Sequence, residues 1–401
     1  MTQKDAEHSG FVHLGPKTPL KGGWRASTDQ DEGNFTTWPV HRAGTVFARS
    51  GPGILAVRAS SGERRWFHEP TQGVEIVAPA LDERRVIVPV GNGVIIALDQ
   101  ETGTEAWTFT ASGRITLSPT VAGGKVFFGA SEAKKFYALD ADTGRLIWEQ
   151  SFPGEPASIP AVGNGLVIFN LLDLETGAEP LVALDLETGV RRWAVGHRDA
   201  NSSPSIMEDR VITGGGDFFA HALDIHTGKE IWRSPVIGKF GYQNSPAIAY
   251  GDVFLADRLG HVYRIDGETG KRKWIWRRGV GTFMQSFPVV AGKTLYIGSG
   301  GGWLYAIDVD SGKLLWKHQV GGFILSGAAD EKHFYFGVKF RNEGLYAYEH
   351  DPTGGKGAAG PSQGSGNGAE GVPVGSLLAG LVVVVALIAG GTFVLKRRSN
   401  R

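Results

Sequence analysis

Tyr137-Ala138-Leu139-Asp140-Ala141-Asp142-Thr143-Gly144-Arg145-Leu146-Ile147-Trp148 is the stretch that decides the fold. An apolar strand runs into Asp-x-x-Thr-Gly, which supplies a side-chain acceptor for turn amides and a glycine for positive φ, and the chain then returns to a tryptophan. The pattern recurs from Ile96-Ala97-Leu98-Asp99 to Trp107, from Val182-Ala183-Leu184-Asp185 to Trp193, and from His221-Ala222-Leu223-Asp224 to Trp232. It recurs again from Tyr263-Arg264-Ile265-Asp266 to Trp274 and from Tyr305-Ala306-Ile307-Asp308 to Trp316, with a weaker first copy from Leu55-Ala56-Val57-Arg58 to Trp66. Successive tryptophans are 41, 41, 45, 39, 42 and 42 residues apart. Such a period, filled with strand-like sequence, is the signature of a propeller blade.

Prolines at 39, 79, 119, 160, 204, 246 and 288 mark the same frame independently. Each unit parses as four short strands, of which the first starts at the proline, where no hydrogen-bond donor is required. In the unit opened by Pro119 the others are Lys125 to Gly129, Phe136 to Asp140 and Arg145 to Glu149. Tryptophan on the outer strand has the area to wedge against a neighbouring blade. After Trp316 the chain offers Ser326-Gly327, His333 to Gly337 and Leu345 to Glu349, but no further tryptophan, so the last unit lacks its outer strand. Trp24 lies 15 residues before Pro39, close to the 11 to 14 residues that separate tryptophan from proline elsewhere. The N-terminal strand is therefore expected to complete the eighth blade. The predicted fold is all-β: an eight-bladed β-propeller over residues 21–350, with Trp24, Trp66, Trp107, Trp148, Trp193, Trp232, Trp274 and Trp316 as its structural repeat.

Outside the repeat, residues 1–20 carry scattered charges and no apolar run of the kind a secretory signal needs, and they read as a disordered segment. Residues 351–371 are rich in Gly, Ser, Ala and Pro and read as a flexible tether. The 22 uncharged residues from Val374 to Leu395 can cross a hydrocarbon core, so a transmembrane helix is expected over 372–395, ahead of a basic tail, 396–401. Lys396, Arg397, Arg398 and Arg401 favour a cytoplasmic C-terminus, which puts the propeller of a single-pass membrane protein outside the cytoplasm. A tail anchor holding the propeller in the cytoplasm is the alternative.

Composition narrows the function. Among 401 residues, 41 Lys+Arg balance 41 Asp+Glu, which argues against a nucleic-acid partner whose phosphates must be neutralised. The absence of cysteine excludes disulfides, Cys-ligated metals and thiol nucleophiles. The 59 glycines fit a chain that turns often.

Ala-Leu-Asp-x-x-Thr-Gly-x-x-x-Trp, with the preceding Ser-Pro-x-Val, resembles the pyrroloquinoline-quinone-type repeat of quinoprotein dehydrogenase propellers. It is equally similar to the repeat of the eight-bladed lipoprotein of the bacterial outer-membrane protein assembly machinery. The resemblance implies the fold; for activity it implies either a PQQ- and calcium-dependent dehydrogenase, a scaffold, or an extracellular sensor module. Calcium needs several converging oxygen ligands, whereas the channel-side positions just before the innermost strands hold Glu75, Arg114, Asn201, Gln243, Asn244 and Gln285, with one carboxylate among six. Asp140-x-Asp142-x-Gly144 and Asp308-x-Asp310-x-Gly312 look like calcium-loop fragments but fall at the repeat's hairpin and read as turns. No metal site is expected, and no cofactor. Blade 6 concentrates Arg264, Lys271, Arg272, Lys273, Arg277 and Arg278, a solvated face or a site for an anionic partner. Blade 4 has an extra Asp173 to Gly177 in a longer loop, and Asn34 and Asn201 open N-glycosylation sequons. The expected function is a non-catalytic, membrane-tethered scaffold that binds a protein, peptide or glycan through Arg114, Asn201, Gln243, Asn244 and Gln285 at the channel mouth.

Overall fold

Alternation along each strand sends successive side chains to opposite neighbours, and that alone builds the ring. In Lys125–Ala130, Val126, Phe128 and Ala130 pack toward the preceding blade while Phe127 packs toward the following one. In the computed structural model, the residues described are 11–26, 38–71, 77–172, 179–197, 202–214, 217–235, 245–257, 259–277, 286–340 and 342–353. They form eight sheets, antiparallel but for one added strand in blade 7, and eight apolar clusters, each shared by two neighbouring blades, run round the ring and back to its start. Apart from one 3-10 turn at Gly91–Gly93, the regular structure among them is strand.

Blade 1 spans 40–68, blade 2 80–110, blade 3 120–151, blade 4 161–197, blade 5 205–235, blade 6 247–277 and blade 7 289–319. Blade 8 takes Phe323–Ala329, His333–Lys339 and Gly344–His350 from the C-terminal side and its outer strand, Leu20–Ala26, from the N-terminal side. That outer strand pairs antiparallel with the last strand from Leu20↔His350 to Ala26↔Leu345, so chain closure occurs within one sheet, as the position of Trp24 predicted. The innermost strands begin one residue after the prolines rather than on them: Val40, Ala80, Thr120, Ala161, Ser205, Ala247 and Val289. Proline, with no N–H, stands just outside the ladder.

The repeat motif is one joint made by two blades. Asp140 Oδ1 accepts the Thr143 amide at 2.8 Å and its hydroxyl at 2.6 Å, and Gly144 takes φ +69°. A Cβ on Gly144 would stand 2.6 Å from the Trp107 ring of the preceding blade, whose Nε1 donates to Ala141 O at 2.9 Å. The same indole-to-carbonyl bond links Trp24 to Ala59, Trp66 to Gln100, Trp148 to Leu186, Trp193 to Ile225, Trp232 to Gly267 and Trp274 to Val309. Trp316 is the exception. Blade 8 has no such turn, because its outer strand comes from the other end of the chain, and the Trp316 ring stacks on His318 instead while its Nε1 finds no partner among the described residues.

Two faces follow from the strand order. The first-to-second and third-to-fourth hairpins, including every Asp-x-x-Thr-Gly turn, lie on one, the turn face. Second-to-third hairpins and the links between blades lie on the other, the connection face. Residues 1–20 divide: 1–10 are outside the described residues, but the rest is ordered, contrary to expectation. Phe11–Val12 pairs in parallel with the inner edge of blade 7, Phe11↔Val290 and Val12↔Ala291, because that edge is unpaired and its surroundings are apolar. From there a strap crosses the turn face to blade 8, accepting Tyr296 OH at Pro16 O (2.8 Å) and the Asp351 amide at Pro19 O (2.8 Å).

No helix among the described residues is long and apolar enough to cross a membrane. The expected span, 372–395, the tether beyond Thr353, the blade 4 insertion and the sequon asparagines Asn34 and Asn201 lie outside the described residues.

Candidate functional site on the connection face

Serines preceding the inner strands fix the links at the channel mouth. Ser158 Oγ accepts the Asn170 amide (2.9 Å), Ser202 Oγ the Gly214 amide (2.8 Å) and Ser286 Oγ the Gly298 amide (2.7 Å), so each link is tied to the end of the second strand in its own blade. Between blades 2 and 3, Ile115 is buried, Arg114 O accepts the Ser131 amide at 3.0 Å, and the Thr116 and Ser131 hydroxyls meet at 2.9 Å. Arg114 itself is exposed on this pinned loop. Glu75, Asn201, Gln243, Asn244 and Gln285 lie outside the described residues, so of the mouth residues named from sequence Arg114 is the one with a described position.

Acidic groups on this face are engaged by neighbours. Asp257, fully buried, accepts the Leu259 and His261 amides at 2.9 Å each and Tyr263 OH at 2.7 Å, and faces His261 Nδ1 at 2.8 Å. Asp217 on this face, and Glu230 at the turn-face end of the outer strand, flank the buried His221 at 3.0 and 2.8 Å. Among the described residues no group of three His, Asp or Glu side chains is placed to hold a metal ion. The aspartates of the calcium-like fragments serve turns and blade contacts: Asp142 meets Arg84 and Arg85 of blade 2, and Asp310 meets Lys293 at 3.2 Å and Arg264 at 3.3 Å. Hydrogen bonds from those basic side chains hold both carboxyls below their ordinary pKa.

Blade 6's basic cluster is partly consumed as well. Arg264 and Lys273 grip the buried Asp252 at 2.5 and 2.6 Å, and Lys273 also reaches Asp266 at 3.0 Å, while Lys271, Arg272 and Arg277 stay exposed. Arg264 goes on to Val309 O at 2.7 Å in blade 7. Its place in the motif, where other blades have alanine, is thus a brace between blades.

A buried acid–base cluster lies between blades 8 and 1 at the turn face. Burial would raise the Asp330 carboxyl, but hydrogen bonds from His333, Tyr335 and two backbone amides outweigh it and hold it below the carboxylate range. Burial lowers His41 more than the Asp330 carboxylate, 3.8 Å away, raises it, so the imidazole stacked on Tyr335 is neutral at pH 7. Asp330, His333 and Tyr335 bond one another inside the wall of the ring, while neither ring nitrogen of His41 has a hydrogen-bond partner among the described residues.

What the sequence did not single out is a set of apolar side chains on the hairpins of the connection face. Phe218 of blade 5, Leu259 of blade 6 and Phe340 of blade 8 are 43, 42 and 61% exposed, and Trp303 of blade 7 is half-buried beside them in hairpin order. The corresponding hairpins of blades 1 to 3, at Gly51-Pro52, Gly91–Gly93 and Ser131 to Lys134, carry no large exposed apolar residue. The available signal was an apolar residue in a hairpin that elsewhere holds Gly, Pro, Asn or Ser.

The family model described as outer membrane protein assembly factor BamB matches residues 21–117, 91–236 and 177–323. Two curated relatives match over shorter stretches. One is the serine/threonine-protein kinase AfsK of Streptomyces griseus, 33% identical over 23% of this chain, and the other the quinohemoprotein alcohol dehydrogenase of Comamonas testosteroni, 32% identical over 23%. The matched stretches span 13 and 16% of those proteins' own lengths. Among solved structures, BamB from Moraxella catarrhalis superposes with a TM-score of 0.68 at 16% identity, covering 82% of this chain and 100% of that one, a likeness of fold.

Proposed function

The chain belongs to the family of the outer membrane protein assembly factor BamB, and from that premise we propose that it is a non-catalytic scaffold whose connection face binds a protein, peptide or glycan partner. A protein partner is in keeping with the family's name. The observation that carries the reading is the unequal use of the two faces. On the turn face the strap from Phe11 to Leu20 occupies the inner edge of blade 7 and crosses to blade 8, where the C-terminal strand also leaves the ring. The connection face keeps exposed apolar tips at Phe218, Leu259 and Phe340. The uncharged run to Leu395 and the basic residues after it support a membrane tether, 372–395, with the propeller outside the cytoplasm.

A quinoprotein dehydrogenase is the competing reading, and the described donor set does not fit its cofactor. A calcium-bound quinone needs carboxylate and amide oxygens free to converge on the channel, whereas Asp257, Asp217 and Glu230 are held by their own blades. Dye-linked alcohol oxidation by the full chain, assayed after adding PQQ and Ca²⁺, should stay at the blank rate. Quinone-dependent turnover would overturn the scaffold reading.

A further inference from the structure

The first strand of each blade turns an edge to the channel, and among the described residues blade 7 alone has that edge covered by a further strand. Phe11–Val12 runs parallel to Val289–Ala291, from the connection-face end towards the turn face, and the Gly292 amide donates to Val12 O at 2.9 Å. Phe11 packs against the cluster of blades 6 and 7 that holds Ala247, Ala249 and Val290, while Val12 is buried in the cluster of blades 7 and 8. His13 and Leu14, which follow, are exposed. A Cβ at Gly15 would stand 2.4 Å from Ala291 Cβ, and the carbonyl of the buried Pro16 accepts Tyr296 OH at 2.8 Å. The edge therefore selects an extended segment that reads aromatic, β-branched, any, any, glycine, proline.

The slot belongs to the ring and not to the segment. Tyr250 forms one wall, its ring meeting Phe11 edge-on at 5.1 Å with the Lys293 ammonium 4.2 Å from its centroid. Its hydroxyl donates to Gly292 O at 2.9 Å, a bond from blade 6 to blade 7 in which the segment has no part. Tyr250 takes φ +54° at a hairpin position that Ala43, Gly123, Asn164 and Glu208 occupy in other blades, and a bulky side chain is rare in that conformation. Backbone strain is thus kept at the residue that shapes the slot. The segment pairs through two residues, and the ring closes without it through Leu20–Ala26. An open strand edge beside a preformed apolar slot accepts a strand from any chain that matches it.

We propose that the inner edge of blade 7 is a peptide-binding site, filled by residues 11–16 of the same chain as a resident competitor and taken over by an extended partner segment of the same pattern. A segment pairing in the same direction enters from the connection-face mouth of the channel, the face assigned to the partner above. Main-chain pairing supplies the hold, while the aromatic position beside Tyr250 and the glycine against Ala291 supply the selectivity. Tethering keeps the resident segment at a millimolar local concentration, so a partner binds by matching the slot better than residues 11–16 do. The inference rests on the scaffold reading and deepens it by assigning the site and the chemistry of the partner.

The test uses the full chain in detergent and a fluorescent peptide that copies residues 10–17. Phe11→Asp with Val12→Asp expels the resident segment and should raise affinity for the peptide about tenfold or more over wild type. Adding Tyr250→Gly, which relieves the backbone, should weaken the peptide again several-fold. Peptides with aspartate in place of the phenylalanine, or alanine in place of the second glycine, should not bind. Because the chain has no cysteine, His13→Cys in an otherwise unaltered chain takes a single environment-sensitive label, whose emission should shift when excess unlabelled peptide displaces the segment. That measurement decides the matter if the aspartate variant does not fold. The proposal is overturned if the label does not respond, if the altered peptides bind as well as the copy, or if the aspartate variant folds and binds no better than wild type. It is also overturned if the segment is instead exchanged between two copies of the chain, seen as dimers in size-exclusion chromatography. Absence of peptide binding in a chain that is also inactive with quinone removes this inference and leaves the scaffold reading, whereas quinone-dependent turnover removes both.

Discussion

Glycine at the repeat turn is required twice over, once by backbone and once by packing. Gly144 has φ +69° and the Trp107 ring against it, while Gly124, on a neighbouring hairpin of the same blade, has φ +71° and nothing within 4 Å of a built Cβ. Gly124→Ala should therefore cost about 1 kcal/mol for the backbone alone. Gly144→Ala should cost about 2–4 kcal/mol, the excess being displacement of the indole. Urea unfolding of the two variants measures the difference, and equal losses would mean that the tryptophan does not rest on the glycine. This also shows why the motif was legible in sequence. The aspartate, threonine and glycine shape the turn, the tryptophan at the end of the motif serves the following blade's turn, and each demand fixes a residue type at a fixed spacing. Phe218 and Phe340 were missed for the converse reason: their hairpins answer to no repeated internal demand, so only their apolar character, and not the register, marks them.

At the scale of the element, the N-terminal segment does two separable things. Leu20–Ala26 supplies the missing outer strand of blade 8, and the sequence showed it through Trp24. Phe11–Val12 adds a strand inside the channel, and no periodic pattern could show it, since two residues pair only because blade 7 presents an open inner edge. Removal of residues 1–16 should lower the melting temperature yet leave a cooperative, monodisperse ring, because the closing strand remains. Removal of residues 1–26 exposes the edge of Gly344–His350, and should give a loss of cooperative melting and association in size-exclusion chromatography. Similar behaviour of the two truncations would contradict this division. The candidate site was read less completely than the fold. Repeat spacing located the mouth of the channel, where Arg114 lies, but loops between blades vary in sequence and length, and Asn201, Gln243, Asn244 and Gln285 belong to such loops.

For the molecule as a whole, charge balance and the lack of cysteine, which opened the functional argument, take on a spatial meaning. Positive and negative groups pair within blades, as in Lys135 with Glu149 and Lys273 with Asp252, and across their boundaries, as in Arg85 with Asp142, Lys125 with Glu187 and Arg264 with Asp310, so little field is left at long range. Exposed side chains remain on both faces, Phe218, Leu259 and Phe340 on the connection face and Leu14, Val190, Lys271 and Arg272 on the turn face. The central claim is that a partner meets the connection face of a scaffold. It is tested most directly by placing a photo-crosslinking amino acid singly at Phe218, Phe340 or Arg114 on that face, and at Thr143 or Ser311 on the turn face, in cells that produce the full chain. The account predicts a discrete adduct from the connection-face positions and none from the turn-face positions. Adducts confined to the turn face would contradict it.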